Sequence, residues 1–401
     1  MTARRASLAV IFTIVFIDLV GFGIVIPVLP LYAQRFGASP LVIGILLAIY
    51  SLMQSVFAPI LGRLSDRVGR RPVLLVSIIG SALGFLLMGL ANSLVLLFAA
   101  RIIDGITGGN ISTAQAYIAD ITSTKDRSKG MGLIGAAFGL GFIFGPAIGG
   151  IMSHFSLSAP FYFAAALAAA NAAAVFLFLP ESLSSEHRTA AGERPSVLQA
   201  FREAQGSPLA VILGTYFFTT VAFSLLTAVY PLFAAHRLGY HASQIGYIFA
   251  GMGIVGAVIQ GGLMGWLGRF LNDRVLTLIG AAVLAAGLFL LPLENGLKLL
   301  MLATALIAVG HSLLVVPLNA LASKSLGPSA QGRVLGLMQS SASMARIIGP
   351  VLGGLLLNGD TGRLPEHYGR MAFWTAGVLV FLGFGLAVSL NITAGTGTDG
   401  S

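Results

Sequence analysis

Apolar stretches of about 20 residues recur along this chain, each followed by a short polar or charged segment. A helix of that length crosses the hydrocarbon core of a bilayer and satisfies its own backbone hydrogen bonds there. The pattern therefore predicts an all-α membrane protein with twelve transmembrane helices. The predicted spans are residues 8–33, 41–61, 72–91, 94–119, 129–152, 160–179, 208–235, 242–265, 275–293, 298–322, 333–357 and 371–391.

The first apolar run opens like a secretory signal peptide, with the sequence MTARRASLAVIFTIVF. It continues past Asp18 to Tyr32, which makes it longer than the hydrophobic region of a cleaved signal. We therefore expect a retained first span rather than a leader that is removed.

The segment Gly62–Arg71, GRLSDRVGRR, places five charges between spans 2 and 3. Such a cluster cannot lie in hydrocarbon, so we expect a short turn at a membrane surface, and its four arginines indicate the cytoplasmic side. With the N-terminus on the same side, only a few basic residues fall in outer segments. These are Arg35, Arg237, Lys298, Arg363 and Arg370. We therefore expect both termini to be cytoplasmic, in a bacterial inner membrane.

Composition agrees with a membrane protein, because 56% of the 401 residues are hydrophobic and only 9% are charged. A soluble domain has roughly a quarter of its residues charged. The net charge of +9 is explained by arginines at an anionic leaflet, so no nucleic-acid partner is expected. The chain has no cysteine, which excludes disulfides and thiol catalysis. It also contains no recognisable nucleotide loop, metal-ligand cluster or nucleophile elbow. We expect neither an enzyme nor a bound cofactor or metal.

The two halves of the sequence repeat each other at an offset of 201 to 204 residues. Three segment pairs carry the match: Pro30–Gly44 with Pro231–Gly246, Gly62–Leu74 with Gly265–Thr277, and Met131–Gly150 with Leu335–Gly354. Parallel repeats of six spans are typical of one large class of secondary transporters, with the substrate site between the halves. The predicted units are an N-terminal bundle at 1–180, a cytoplasmic linker at 181–207 and a C-terminal bundle at 208–401. An inserted soluble domain is the alternative for 181–207, but few of its residues could form a core.

Three motifs resemble the signatures of the major facilitator superfamily: GRLSDRVGRR, RIIDGITGGN at Arg101–Asn110, and GAAFGLGFIFGPAIGG at Gly135–Gly150. The third is similar to the version in proton-driven drug antiporters. Span 1, IDLVGFGIVIPVLPLY, and the segment AYIADITSTKDRSKGMG closely resemble the tetracycline-efflux-like branch. The resemblance covers the whole chain. It implies the major facilitator fold and proton-coupled export of hydrophobic or amphipathic compounds by alternating access.

The chain departs from this resemblance at one point. Tetracycline carriers are expected to have acids within spans 3 and 9, whereas Ser77–Met88 and Ala281–Leu291 contain none. Two other functions stay open from the sequence. One is a proton-coupled symporter for a sugar or other metabolite, and the other is a non-transporting membrane receptor or scaffold.

Asp18 is the first candidate for proton coupling, because it lies about ten residues inside span 1, where an ionised carboxylate is costly. The alternative is an acid satisfied by a neighbouring helix and serving only packing. Arg101 and Asp104 lie three residues apart on span 4 and can pair on one helix face. The resemblance associates the arginine of this motif with proton transfer, while a self-neutralised structural pair is equally compatible.

A second group is predicted to control the conformational change. The resemblance implies that Asp66 joins a charge cluster with Arg333 at the cytoplasmic end of span 11 and stabilises the outward-open state. The alternative is that the arginines only orient the loop. In span 5, the glycine face allows close helix contact and the proline supplies a bend. The predicted gating residues are Gly62, Asp66, Arg67, Gly69, Arg70, Arg71, Arg333, Gly145 and Pro146.

The predicted substrate residues are polar and aromatic side chains on the expected cavity helices, a composition that suits flat amphipathic compounds. They are Phe22, Tyr50, Gln54, Asn110, Gln115, Phe223, Tyr230, Gln260, Gln339 and Arg346. Arg346 is a candidate for contacting an anionic group of the substrate or the Asp18 region. His311 is more simply a structural residue than a titrating one. The expected partners are a small molecule, the lipid bilayer and protons, with the protein functional as a monomer.

Overall fold

The structure is a computed structural model that describes residues 2–122, 127–183, 202, 205, 207–293, 296–325, 331–362 and 364–390. Within these residues the regular secondary structure is helical, and twelve helical segments are long and apolar enough to cross a membrane. The predicted class and number of spans are confirmed. Most of the predicted linker, 181–207, lies outside the described residues.

The twelve spans are numbered here in chain order, and their bounds lie close to the predicted ones. They are Thr2–Gln34, Pro40–Val68, Arg70–Gly89, Leu94–Ile121, Arg127–Ser153, Ala159–Phe178, Pro208–Leu238, Ala242–Leu267, Asp273–Leu293, Leu297–Lys324, Gln331–Asn358 and Arg370–Val388. Span 4 is interrupted at Gly108 and Gly109, and span 8 contains a π-helical turn at Ile259–Leu263.

The connection between spans 2 and 3 is shorter than expected. Span 2 continues as a helix to Val68 and span 3 begins at Arg70, so only Gly69 lies between them. The prediction of a turn across Gly62–Arg71 was wrong because the cost of burying charge fixes where a segment lies, not its backbone conformation. Gly69 makes the change of direction with a φ of 111°, a conformation that side-chain-bearing residues rarely adopt.

The same helix packing occurs in both halves. In the first half, span 1 packs against spans 5 and 6, span 2 against span 4, and span 3 against spans 4 and 6. In the second half, span 7 packs against spans 11 and 12, span 8 against span 10, and span 9 against spans 10 and 12. Each contact recurs six spans later, which is the arrangement expected of two parallel copies.

The two halves meet along spans 2 and 11 and along spans 5 and 8. Backbone contacts at glycines bring these pairs together, and we call Gly44, Gly150, Gly246 and Gly354 the glycine seal. A Cβ atom on Gly246 would stand 2.5 Å from the carbonyl oxygen of Pro146, and one on Gly44 would stand 3.3 Å from the Cα atom of Val351. A side chain at these positions would push the halves apart.

The halves separate toward the end that carries Gly62–Arg71, which we call the arginine-rich end. Glycines of spans 5 and 8 near that end have no atom within 4 Å of a Cβ position; they are Gly132, Gly135, Gly139, Gly261, Gly262 and Gly265. The structure is therefore closed at the glycine seal and open at the arginine-rich end. Between the two lies the middle of the membrane, where the candidate site is found.

The seal predicts the effect of adding one methyl group. In Gly246→Ala the new Cβ meets a backbone carbonyl that cannot move without moving span 5, and such overpacking costs about 1–3 kcal/mol. We expect this variant to shift the population away from the sealed conformation. Because the chain has no cysteine, thiol labelling of an introduced Gly262→Cys reports the open end directly, and its rate should fall.

Gly251→Ala is the matched control, since Gly251 lies on the same span with open space around its Cβ position. Equal labelling rates in the Gly246→Ala and Gly251→Ala backgrounds would show that the glycine contact does not control the conformation.

Candidate functional site

Tyr50 joins three spans of the first half in the membrane interior. Its ring packs on Phe22 with 5.7 Å between ring centroids, and the guanidinium of Arg101 lies 4.3 Å from the centroid of Tyr50. A cation over an aromatic face is attracted by the ring quadrupole. The side-chain amide of Gln54 donates to the Tyr50 hydroxyl at 3.2 Å and to the carbonyl of Gly108 at 2.7 Å. Gln54 can reach that carbonyl because the helix of span 4 breaks there.

Arg101 and Asp104 form a buried ion pair on span 4. Arg101 Nη1 donates to Asp104 Oδ2 at 2.9 Å, and the two side chains are 2% and 5% exposed. Ser81 of span 3 also hydrogen-bonds the Asp104 carboxylate. The two side chains form the pair that the sequence predicted, and the choice between a proton-transfer role and a structural one stays a prediction. Arg101 Nε is buried and has no hydrogen-bond partner within the described residues.

Asp18 lies next to the side chain of Asn110, the first residue after the break in span 4. Asn110 is buried, and its Oδ1 atom has no hydrogen-bond partner in the described part of the chain, so its amide N–H₂ group faces the carboxylate. Asp104 lies near enough to act on Asp18 electrostatically. Among the ion pairs of the described residues, none includes Asp18. We call Asp18, Tyr50, Arg101, Asp104 and Asn110 the central cluster.

The second half contributes a single charge opposite this cluster. Arg346 is half-buried in span 11, and its Nη2 atom donates to Ser343 Oγ at 3.2 Å. Its charge interacts with the hydroxyl groups of Tyr216 on span 7 and of Tyr50 across the interface. The sequence analysis gave the Asp18 region as one candidate contact for Arg346. In the structure Arg346 interacts electrostatically with Tyr50, and Tyr50 in turn interacts with Asp18.

Other predicted substrate residues lie apart from the central cluster. Tyr230 is 1% exposed and packs against Phe249, with 5.3 Å between ring centroids, so it does not line the open space in this conformation. Phe223 stacks on His311 at 3.9 Å between centroids, which favours the structural interpretation of the histidine. Three amides are exposed: Gln115, Gln260 and Gln339. Their assignment to the substrate site stays a prediction.

At the arginine-rich end a second polar network joins the ends of four helices of the first half. Arg70 bonds Asp66 at 2.5 Å and Asp120 at 3.2 Å. The carboxylate of Glu181, just after span 6, accepts from the backbone N–H groups of Arg70 and Arg71 at 2.9 and 3.2 Å. A carboxylate at a helix N-terminus satisfies free N–H groups and the positive end of the helix dipole. This network, which we call the span 2–3 cluster, joins spans 2, 3, 4 and 6.

The remaining predicted gating residues take different positions. Arg71 donates to the carbonyl of Phe176, while Arg67 and Arg333 are exposed. A Cβ atom on Gly62 would have 4.0 Å to its nearest neighbour, so Gly62 makes no close helix contact in this conformation. Gly145 does make one, because its Cβ position lies 2.6 Å from the Cα atom of Gly23 in span 1.

The second half repeats the ion pair of the span 2–3 cluster with the signs exchanged. Lys324 Nζ lies 2.6 Å from Asp273 Oδ2. At the repeat offset, Asp273 corresponds to Arg70 and Lys324 corresponds to Asp120. The position of the pair is thus retained while its polarity is reversed.

Comparison with known proteins identifies the family. The family model described as Major Facilitator Superfamily matches residues 11–293 and 212–394. The chain belongs to the Major Facilitator Superfamily. It is similar to the tetracycline resistance protein, class E, of Escherichia coli, with 33% identity over 86% of each chain. It is also similar to multidrug resistance protein 2 of Bacillus subtilis (strain 168), with 32% identity over 96% of this chain and 95% of the relative.

Solved structures of other transporters share the fold. The human organic anion transporter MFSD10 (TETRAN) aligns over 96% of this chain and 99% of its own, with 26% identity and a TM-score of 0.68. A bacterial homolog of the human lysosomal transporter Spinster aligns over 97% of both chains, with 14% identity and a TM-score of 0.81. The predicted major facilitator fold is confirmed, and the protein is an integral membrane transporter.

Sequence reasoning missed several residues that hold this superfamily member together. Glu181 was read only as part of the linker, although an acid directly after a span is a recognisable candidate for capping a neighbouring helix. Ser81 and Phe142 were also missed; Phe142 of span 5 packs on Phe22 with 6.4 Å between centroids. No residue pattern in the sequence indicates the contacts of Ser81 and Phe142, because they depend on which helices are neighbours in space.

The capping role of Glu181 gives a testable expectation. Glu181→Gln removes the charge that faces the start of span 3, and we expect it to lower the free energy of unfolding by about 1–2 kcal/mol, as loss of a helix cap does. Denaturant unfolding of the purified protein measures this. Glu366→Gln, an exposed acid at the opposite end, is the control and should leave stability unchanged. A loss no larger than that of Glu366→Gln would contradict the cap.

Proposed function

We propose that this protein is a proton-coupled exporter of hydrophobic or amphipathic small molecules that works by alternating access. The observation that carries the proposal is Asp18, an intramembrane carboxylate held by an amide rather than by a counter-ion. Relatives named for tetracycline and multidrug resistance support export as the direction of transport and drugs as the class of substrate.

Asp18 suits proton exchange because each protonation state has a definite environment. The neutral acid avoids the cost of a charge in the membrane, and the carboxylate accepts the amide N–H of Asn110. Asp104 is already neutralised by Arg101, so the neighbouring pair can stay charged while Asp18 changes state. A cationic group of a substrate would compete with the proton for the same carboxylate, which is the condition for antiport.

The conformation supports the cycle once the arginine-rich end is taken as cytoplasmic. The sequence favours that orientation through its basic residues. The central cluster is then open to the cytoplasm and closed to the outside by the glycine seal. Substrate enters from inside, and rocking of the halves opens the seal while Asp66 approaches the end of span 11 that carries Arg333.

The proton gradient would supply the energy, since each charge that crosses 100 mV yields about 2.3 kcal/mol. We propose that the protein works as a monomer in a bacterial inner membrane, with the proton as its coupling ion and no cofactor.

Replacing the carboxylate tests the coupling role. Asp18→Asn keeps the hydrogen-bonding shape but cannot release a proton, so we expect substrate-driven proton movement in proteoliposomes to fall to background. Binding of an uncharged substrate should be kept. Glu366→Gln, which removes an exposed acid far from the central cluster, should transport like the unmodified protein.

The direction of flux separates the alternatives in the same vesicles. An imposed proton gradient should drive substrate against the proton flow in an antiporter and along with it in a symporter. Full coupled transport by Asp18→Asn would contradict the proposal, and so would movement of substrate and protons in the same direction.

A further inference from the structure

The middle of the membrane holds four described charges, and two of them cancel. Arg101 and Asp104 form an ion pair at 2.9 Å within the first half. Asp18 of the first half and Arg346 of the second half remain, and no described ion pair joins either of them to another residue. The two halves therefore face each other with one negative and one positive group.

Arg346 and Tyr50 lie just below the closed end. Arg346 precedes Pro350 by four residues and Tyr50 follows Gly44 by six, and Pro350 and Gly44 meet in the glycine seal. At a rise of 1.5 Å per residue, Arg346 is about 6 Å from the seal along the axis of span 11, and Tyr50 is about 9 Å from it along the axis of span 2. In the sealed conformation Arg346 is half-buried at this level and Tyr50 is 7% exposed.

Arg346 has unused hydrogen-bonding capacity at this position. A guanidinium carries five N–H donors, and the described hydrogen bonds of Arg346 use one of them, to Ser343. The planar arrangement of these donors fits two oxygens of a carboxylate or a similar anion. Its described neighbours Tyr50 and Tyr216 are hydroxyl groups, which do not neutralise it.

An aromatic group lies near both charges. Tyr50 is close enough to interact electrostatically with Asp18 and with Arg346. Its ring packs on Phe22, and Phe22 in turn packs on Phe142. Phe22 and Phe142 are half-buried and present ring surface suited to a flat apolar body.

We propose that the substrates this exporter binds most tightly are amphoteric planar compounds, with a cationic group at Asp18, an anionic group at Arg346 and the ring system against Tyr50, Phe22 and Phe142. This rests on the proposed function, to which it adds the class of substrate. Such a compound neutralises both unpaired charges and bridges the two halves. A compound with one charge leaves the other half's charge unsatisfied in a low-dielectric site.

Three forms of one ring system test the proposal. They are a quinolone carboxylate bearing a piperazine amine, its methyl ester, which keeps only the cation, and its N-acetyl derivative, which keeps only the anion. Binding to the purified full-length protein is followed by fluorescence polarisation of the ring. We expect the amphoteric parent to bind at least about ten-fold more tightly than either derivative, the size of one hydrogen bond to a charged group.

Substitutions assign each charge to its residue. Arg346→Gln should weaken binding of the parent about ten-fold and leave the ester within two-fold, whereas Asp18→Asn should weaken the parent and leave the N-acetyl compound unchanged. Arg346→Lys keeps the charge and should retain part of the preference. Lys298→Gln removes an exposed charge at the far end of span 10 and should change none of the three affinities.

Equal affinity of the unmodified protein for all three compounds, or binding of none, overturns the proposal. So does an Arg346→Gln variant that loses the ester as strongly as the parent. Proton-coupled export of the ester in proteoliposomes is measured alongside. If that export persists while the parent is not preferred, the exporter function stands and only the amphoteric class is rejected.

Discussion

The cost of placing charge in hydrocarbon is the constraint on which this structure depends. It confines most basic residues to the ends of the helices and leaves few charges in the interior. The charges that remain must be paired or must face an aqueous space. Arg101 and Asp104 meet this condition by pairing with each other, and Arg70 meets it at the arginine-rich end with Asp66 and Asp120. Asp18 and Arg346 have no such partner within the described residues, which marks them as groups that act on something else.

The same constraint explains what could be predicted from sequence. Span number and position follow from apolar length, and the repeat follows from segment offsets, so the fold was predictable without spatial knowledge. Asp18, Arg101, Asp104 and Arg346 were predictable as candidates because charges within spans are rare. The pairing of Arg101 with Asp104 on one helix was predictable as well. Partners on other helices were not, because helix adjacency is absent from the sequence. The proximity of Asp18 and Asn110 requires that spans 1 and 4 touch, and the cap at Arg70 requires that span 6 ends beside span 3.

The sequence does not show which helix each glycine face of a span contacts. A glycine face in a membrane helix allows close packing, but it does not say whether the neighbour belongs to the same half or to the other. In span 5 both cases occur. Gly145 meets Gly23 of span 1 within the first half, while Gly150 lies against Gly246 of span 8 across the interface. Closer to the arginine-rich end, Gly135 and Gly139 meet nothing within 4 Å.

The two ends of the molecule are therefore lined by different chemical groups. The glycine seal is formed by backbone and small apolar groups, so ionic strength has little effect on it. The arginine-rich end carries the span 2–3 cluster on one half and, on the other, the reversed pair of Lys324 and Asp273 with the exposed Arg269 at the position equivalent to Asp66. Contacts between opposite charges at a surface are screened by salt. In the proposed alternating-access cycle one end opens as the other closes, so salt on the arginine-rich side would weaken ionic contacts at that end and leave the glycine seal unaffected. Because Asp66 and Arg269 occupy equivalent positions in the two repeats, that end carries opposite charges on its two halves, which is the arrangement that an ionic contact in the proposed closed state would require.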